Sequence, residues 1–242
     1  MKIGIIQTRG IGDIVIAIPI ANHFIRNGSE VYWPIDSSFY VPFKTAFPLI
    51  KFIPLKKEIP ADSAEYFFYE PNKLLISEGC EKIFCLYSHL SNGFNFGQTG
   101  LQKKLAGSVS FDIYKYAITG VPFSEKWNFF PTRNISQENA LFDELGITKG
   151  EKYIVQHNQG SNASFEIVIE NEFKNYKLIT INSVTNNFFD WLKIIENAYK
   201  LYLLDSVYAN IVEQMNFENK KILILRSPSP FTPVFKNSWE FA

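Results

Sequence analysis

The chain has 242 residues with 24 basic and 24 acidic side chains, so its formal net charge is zero. A balanced charge creates no extended field to attract nucleic acid or anionic lipid, and this favours a small-molecule partner over a polyanion. Hydrophobic residues make up 46% of the sequence, which is enough for one large domain or two small ones.

Residues 14–20 are apolar, but the run is short and contains Pro19. We therefore expect neither a signal peptide nor a membrane span, and we expect a cytoplasmic protein. The only two cysteines, Cys80 and Cys85, lack the C-x-x-C spacing of a zinc site. They are interpreted as buried, reduced thiols.

The first half of the chain alternates between strand-like and helix-like segments. Lys2 to Gln7 predicts a strand, Ile14 to Arg26 a helix that ends at Asn27-Gly28, and Glu30 to Ile35 a second strand. This βαβ order implies a parallel sheet. The alternation continues with predicted helices at 39–47, 69–78 and 111–118, strands at 50–55 and 82–87, and a loop at 93–100. In the last helix the apolar spacing assigns Phe111, Tyr114 and Ile118 to the core.

The segment from Trp127 to Ser136 is predicted to be extended and to connect two domains, residues 1–135 and 136–242. A helix is predicted next, at 137–145. The second domain then has predicted strands at 152–157, 177–181, 200–204 and 221–225 and helices at 164–173, 188–197 and 207–215. The sequence therefore predicts an α/β protein of two Rossmann-like domains facing each other across a cleft, with a short second domain.

The turn TRGIGD, Thr8 to Asp13, lies between the first strand and the first helix. A glycine turn lets backbone N–H groups approach an anion at a helix start. However, the dinucleotide pattern G-x-G-x-x-G would need glycine where Val15 stands, and the Gly-Lys-Ser/Thr of a P-loop is absent. Asp13 has two interpretations, a helix N-cap or a general base that takes a proton from a bound hydroxyl.

The motif R-G-x-G-D-x-V-x-x-x-P resembles the N-terminal signature of the heptosyltransferase-like glycosyltransferases, glycosyltransferase family 9, which have the two-domain GT-B fold. The matching residues are Arg9, Gly10, Gly12, Asp13, Val15 and Pro19. The resemblance implies inverting, metal-independent transfer of a sugar from a nucleotide-sugar donor to a surface glycan such as lipopolysaccharide or capsule. Asp13 would be the catalytic base, Gly10 and Gly12 would lie near the donor, and Arg9 near the acceptor.

A second match lies at Asp205-Ser206, which resembles the family's D-[ST]-G-x-x-H segment that receives the donor diphosphate. Here Val207 replaces the glycine and Asn210 replaces the histidine. The loop after the 152–157 strand and the end of the 177–181 strand would also border the donor, and the loop after the 82–87 strand would border the acceptor. The donor-side residues are His157, Asn158, Gly160, Ser161 and Ser183, and the acceptor-side residues are His89 and Asn92.

Each of these assignments has a structural alternative. Asp205-Ser206 could be a helix cap, His157 a neutral structural histidine, Ser183 part of a plain turn, and the His89 loop a solvated loop. The expected partners are a nucleotide-sugar and a glycan acceptor, with no nucleic acid, no cofactor, no metal and no stable membrane insertion beyond peripheral contact through the acceptor. The alternative function is a non-catalytic sugar- or nucleotide-binding protein derived from such an enzyme.

Overall fold

The computed structural model describes residues 1–60, 63–87, 100–160, 164–182, 184–226 and 232–242. The chain divides into two compact units, Met1–Phe130 with Ser229–Val234, and Pro131–Pro228 with Phe235–Ala242. Each unit contains a parallel sheet accompanied by helices. The α/β class predicted from the strand–helix alternation is therefore confirmed. Within the described ranges, no helix is both long enough and apolar enough to cross a membrane.

Unit 1 contains a four-stranded parallel sheet in the order β3-β2-β1-β4. Its strands are β1 (Lys2–Ile6), β2 (Glu30–Ile35), β3 (Lys51–Pro54) and β4 (Lys82–Cys85). Its helices are α1 (Ile11–Arg26), α2 (Ser37–Ala46), α3 (Glu70–Ser77), which follows a π-helical turn at Glu65–Tyr69, α4 (Gly100–Ala106) and α5 (Phe111–Thr119), which precedes a 3₁₀ helix at Phe123–Trp127.

Helix α1 forms because one long stretch of it is completely apolar and packs inside unit 1. Residues 14–21 are all buried, and the helix continues through Pro19 to Arg26. Proline in a helix interior costs about 3 kcal/mol, and burial of the neighbouring isoleucines offsets this cost. The helix ends where the sequence predicts, with Asn27 as its C-cap and Gly28 at φ +80°.

Unit 2 contains a five-stranded parallel sheet in the order β6-β5-β7-β8-β9. Its strands are β5 (Tyr153–His157), β6 (Lys177–Thr180), β7 (Lys200–Leu204), β8 (Lys220–Ile224) and β9 (Glu240–Phe241). Its helices are α6 (Ile135–Glu144), α7 (Leu192–Asn197), which continues a 3₁₀ helix at Phe188–Trp191, and α8 (Val207–Met215).

Most predicted elements are present with boundaries within three residues of the prediction, but the helix predicted at 164–173 is wrong. Only its end is helical, as a 3₁₀ turn at Asn171–Phe173. Ile167 and Ile169 both pack on the core cluster around Phe173, while Val168 between them is exposed. This period of two is that of an extended chain, and β-branched residues favour it over a helix.

Two elements were not predicted. Helix α4 follows the loop that was predicted at 93–100, of which 93–99 lie outside the described residues. Strand β9 is short. The segment that precedes it is fixed by Glu213 of α8, whose carboxylate accepts hydrogen bonds from Lys236 N at 2.9 Å and Trp239 Nε1 at 2.8 Å. A buried carboxylate with several donors is a long-range contact that a local pattern does not reveal.

The two cysteines lie on the core of unit 1. Cys80 and Cys85 are both free and only half-buried, and they pack against a cluster that includes Leu75. Burial raises the pKa of the Cys85 thiol to about 11. Such a thiol is a poor nucleophile at neutral pH, which fits the structural role that the sequence predicts.

Candidate active site

The turn between β1 and α1 places Asp13 in the first turn of the helix and not at its cap. Helix α1 begins at Ile11, and its N-cap is Gly10, which has φ +78°. The amide of Ile14 donates to the carbonyl of Gly10 at 2.9 Å. The interpretation of Asp13 as the N-cap is therefore wrong, because the helix starts two residues before it.

The carboxylate of Asp13 is paired with a lysine that the sequence analysis did not single out. Lys115 Nζ lies 3.0 Å from Asp13 Oδ1, and the two side chains are 2% and 38% exposed. The same ammonium donates to Gln7 Oε1 at 2.7 Å and to the carbonyl of Leu86 at 3.1 Å. The arrangement is a partly exposed carboxylate beside a buried cation, and a carboxylate open on one side can accept a proton as a general base does.

Lys115 could have been noticed from its position between two aromatic core residues. It stands between Tyr114 and Tyr116, and all three are buried, whereas Phe111 and Ile118 are only half-buried. A lysine on the buried face of a helix needs a counter-charge inside the protein. The sequence contains this signal, but it cannot say that the counter-charge is Asp13.

Tyr87, which lies beyond the end of β4, fixes the backbone of the turn. Its hydroxyl accepts hydrogen bonds from the amides of Thr8 at 2.9 Å and Arg9 at 3.2 Å, and it is 2.9 Å from Thr8 Oγ1. Burial raises the pKa of this phenol above its ordinary value. The amides of Thr8 and Arg9 are thus engaged by Tyr87, so the phosphate-cradle interpretation cannot rely on them.

Arg9 lies at the same edge of the sheet and is anchored by Asp36. Its Nε is 3.7 Å from Asp36 Oδ2, its guanidinium lies 6.0 Å from the centre of the Tyr66 ring, and its side chain is 44% exposed. Asp36 also accepts from Ser38 N at 2.9 Å and from the Tyr66 hydroxyl at 2.5 Å. Burial alone would raise the pKa of Asp36, but hydrogen bonds from Ser38 and Tyr66 and the charge of Arg9 hold it below its ordinary value.

Asp36 and Tyr66 were missed in the sequence, although Asp36 carries a usable signal. It follows strand β2 directly and caps helix α2, so it lies at the carboxyl edge of a parallel sheet. Functional side chains concentrate at this edge in α/β proteins. Tyr66 lies 30 residues away in a π-helical turn, and its contact with Asp36 is a product of tertiary folding.

In unit 2 the structure brings together two predicted site residues, His157 and Ser206. His157 ends β5, and Ser206 lies two residues beyond the end of the neighbouring parallel strand β7, in which Leu203 pairs in register with His157. Ser206 Oγ is 3.0 Å from His157 Nδ1, and the imidazole contacts the Tyr208 ring edge-to-face at 4.8 Å. Burial and the positive charge of Arg226 lower the pKa of His157 to about 4. His157 is therefore neutral at physiological pH.

The residues around the start of α8 only partly match the sequence interpretation. Ser206 is the N-cap of α8 by position, but its side chain makes no capping hydrogen bond and contacts His157 instead. Asp205 is buried, and its amide donates to the carbonyl of Ile224 at 2.9 Å. Asn210, which stands where the family has histidine, is buried with Nδ2 bonded to the carbonyl of Ser206 at 2.8 Å.

The sequence analysis expected the loop after β5 to lead into a helix, but the described residues that directly follow it are not helical. Gln159 and Ser164 form an isolated antiparallel bridge, and the amide of Phe165 donates to the carbonyl of Asn158 at 2.9 Å. Asn158 and Gly160 are half-buried. In the described part of this edge, the backbone N–H groups of a helix start come from α8.

The remaining site predictions divide into one that the structure describes and four that it does not. Gly12 is half-buried in the first turn of α1. The predicted donor residues Ser161 and Ser183 and the predicted acceptor residues His89 and Asn92 lie outside the described residues. Among the residues that are described, no group of three or more His, Cys, Asp or Glu side chains could hold a metal ion.

The buried histidine makes the stability of the protein dependent on pH. The pKa of His157 is about 4 in the folded protein against an ordinary value of 6.5, so the unfolded chain binds a proton more readily. As far as His157 is concerned, the free energy of unfolding has its maximum above pH 6.5 and decreases as the pH falls toward 4. Urea denaturation should show a loss of about 2 kcal/mol between pH 7 and pH 5 from this group.

The matched variant is His157→Gln, whose amide can still contact Ser206 but does not titrate. Subtracting the pH dependence of the variant from that of the wild type removes the contribution of the carboxylates, because they titrate in both proteins. Equal slopes for both proteins between pH 5 and pH 7 would contradict the buried, neutral histidine.

Of the comparisons with known proteins, the one with solved structures identifies the fold. No protein-family model matches the sequence, and no curated protein matches it. A glycosyl transferase of family 9 from Veillonella parvula is similar in structure, with a TM-score of 0.65, 10% identity and coverage of 100% of this chain and 86% of that one. The E. coli ADP-heptose LPS heptosyltransferase II has a TM-score of 0.57 and 8% identity, with coverage of 100% and 90%.

The E. coli heptosyltransferase WaaC, in a structure with ADP, gives a TM-score of 0.55 at 9% identity, with coverage of 100% of this chain and 92% of WaaC. Identities this low show a shared fold and nothing finer. The chain therefore has the fold of the family 9 glycosyltransferases and heptosyltransferases, as the N-terminal motif predicts.

Proposed function

We propose that this protein is an inverting, metal-independent glycosyltransferase that moves a sugar from a nucleotide-sugar donor to a cell-surface glycan of the lipopolysaccharide or capsule type. The acceptor binds on the side of unit 1 and the donor on the side of unit 2. The reaction takes place in the cytoplasm.

The single observation that supports this proposal most directly is the position of Asp13 and its contact with Lys115. Its carboxylate is partly exposed, paired with the buried Lys115, and placed at the carboxyl edge of a parallel sheet. As the base, Asp13 takes the proton of an acceptor hydroxyl while that oxygen attacks the anomeric carbon from the face opposite the leaving diphosphate. Arg9, anchored by Asp36 and Tyr66, is suited to contact the acceptor.

The leaving diphosphate needs compensation for its charge, and unit 2 offers three groups for this. The N-terminus of α8 provides the backbone N–H groups of its first turn, and the Ser206 hydroxyl lies beside it. Arg226 follows β8 and carries a positive charge close enough to His157 to lower the pKa of that imidazole. These groups would stabilise the diphosphate in the place of a metal ion. Arg226 was not identified from the sequence.

The similar proteins suggest which donor to try first. WaaC is described in structures with ADP and with ADP-2-deoxy-2-fluoro heptose. A further structurally similar heptosyltransferase, TibC, is described in complex with ADP-D-β-D-heptose. Adenosine diphosphate sugars are therefore our first candidates for this chain. The non-catalytic sugar- or nucleotide-binding protein remains the alternative, and turnover distinguishes it from the enzyme.

A thermal-shift titration against ADP, UDP, GDP, CDP and CMP tests the proposal. A nucleotide that binds only the folded state stabilises it by about 2.7 kcal/mol at 100 times its Kd. This corresponds to a rise in Tm of about 5 to 10 °C for a chain of this length. We expect one nucleotide, ADP first, to raise Tm in this way.

Arg226→Gln should reduce that shift, because it removes the cation that faces the diphosphate. Lys220→Gln is the matched control, since Lys220 lies at the opposite end of the same strand, β8. No shift from any nucleotide would contradict the proposal. A shift without release of nucleotide from the corresponding nucleotide-sugar would favour the binding protein.

A further inference from the structure

We propose that Lys115 is a positioning residue for Asp13, which holds one carboxylate oxygen so that the other takes the proton of the acceptor. This inference rests on the proposed function. The contact lies within unit 1, between α5 and the first turn of α1, and nothing in the N-terminal motif specifies it.

The ammonium of Lys115 makes two hydrogen bonds and one ion pair. It is 3.0 Å from Asp13 Oδ1, 2.7 Å from Gln7 Oε1 and 3.1 Å from the carbonyl of Leu86. Two of the three ammonium protons are thus engaged in hydrogen bonds, and the charge lies beside the carboxylate. Because these hydrogen bonds lie in a buried environment, the ammonium cannot leave this position without losing them.

Lys115 contacts both ends of the catalytic turn. Gln7 precedes the turn and is itself buried, with Nε2 donating to the carbonyl of Arg9 at 2.8 Å. Asp13 follows the turn. One cation therefore links the end of β1 with the start of α1, and the shape of the turn depends on it.

Helix α5 is a rigid support for this cation. Tyr116, the next residue, is buried, and its hydroxyl donates to the carbonyl of Ile16 in α1 at 2.8 Å. This hydrogen bond ties α5 to the helix that carries Asp13. The separation between the ammonium and the carboxylate is thus set by helix packing and not by a flexible loop.

The second carboxylate oxygen of Asp13, Oδ2, lies next to Gly10. A Cβ atom at Gly10 would lie 2.7 Å from Oδ2. With Oδ1 on Lys115 and Oδ2 over Gly10, the carboxylate has one defined orientation. In the reaction the acceptor O–H bond breaks and an Oδ2–H bond forms. The freed electron pair of the acceptor oxygen makes the bond to the anomeric carbon, and the diphosphate leaves with the pair of the old bond.

A purely structural role for Lys115 would resemble that of Lys126, another buried lysine of unit 1 that is paired with an aspartate. Lys126 Nζ is 2.8 Å from Asp112 Oδ2, and both side chains are 0% exposed. Asp112 also accepts from Ser110 Oγ at 2.5 Å and from the amide of Val234 at 2.8 Å. Asp112 is thus enclosed by donors, whereas Asp13 is open to solvent on one side. Lys126→Met is therefore the matched control for Lys115→Met.

The experiment compares the two methionine variants in the full chain. The probe is ADP-D-β-D-heptose, or the sugar nucleotide of whichever diphosphate gives the thermal shift, with water in the place of the acceptor. Release of the nucleoside diphosphate is measured for kcat and KM. We expect Lys115→Met to lower kcat about 30-fold, because a misplaced base costs 10- to 100-fold, and to change KM less than threefold.

Lys126→Met should lower Tm at least as much as Lys115→Met but leave kcat within threefold of the wild type. In an Asp13→Asn background, Lys115→Met should cause no further loss of kcat, because it acts only through Asp13. Equal kcat for the two methionine variants, or an equal loss with and without Asp13, would overturn the inference. No release of nucleotide by the wild-type protein from any sugar nucleotide would instead overturn the proposed function, and this inference with it.

Discussion

Asp13→Asn is expected to lower kcat for sugar transfer by about 1000-fold, within the range of 100- to 10,000-fold that general-base catalysis contributes. The amide oxygen of asparagine can still accept a hydrogen bond from Lys115, so the orientation of the side chain is preserved. What is lost is the negative charge that takes the proton. Steady-state release of the nucleoside diphosphate measures the effect.

Donor affinity should be unchanged in this variant, because the groups that bind the diphosphate in the proposal lie in unit 2. Thermal-shift titration with the donor nucleotide checks this. Asp143→Asn is the control, since Asp143 is an exposed carboxylate of α6 and should show wild-type kcat. A variant of Asp13 with wild-type turnover would refute the assignment of the base.

Gly10→Ala is expected to reduce kcat by on the order of 100-fold, because the new methyl group must displace Asp13. The added Cβ would lie 2.7 Å from Asp13 Oδ2, closer than real contacts allow, and Gly10 has φ +78°. Moving a catalytic group by about 1 Å can cost 100-fold in rate. The strained backbone adds a loss of stability of about 1 kcal/mol.

Gly28→Ala separates these two effects. Gly28 has nearly the same backbone angle, φ +80°, but an added Cβ would meet nothing within 4 Å. Both variants should therefore lose a similar amount of stability in urea denaturation, and only Gly10→Ala should lose activity. If both variants kept wild-type kcat, the contact between Gly10 and Asp13 would have no bearing on the reaction.

The fold could be predicted from the sequence to a large extent. The first strand, the apolar helix through Ile20 and the stop at Asn27-Gly28 form a βαβ unit from local signals alone. The prediction of a helix at 164–173 failed because its core-facing isoleucines alternate with exposed residues at a period of two, and one of the exposed residues is the apolar Val168. A two-residue strand such as Glu240–Phe241 has no local pattern, and it exists only because β8 offers an edge.

The candidate site could be predicted only in part. The Gly-rich turn identified Gly10 and Asp13, and the order of strands and helices suggested that His157 and Ser206 lie at one edge of a sheet. The side chains that contact these residues could not be predicted from the turn or from the order of strands and helices. Lys115 lies 102 positions after Asp13, and a spacing of this size carries no periodic signal.

The sequence by itself determined the α/β class, the parallel sheets and the position of Asp13 at the beginning of the first helix, because these depend on periodicity, turn residues and neighbouring positions along the chain. The tertiary structure decided the chemical state of the site. The packing of α5 against α1 places a buried ammonium on Asp13, and the adjacency of β5 and β7 places Ser206 against a neutral His157. Burial and charge pairing depend on which distant segments meet, and this follows only from the complete fold.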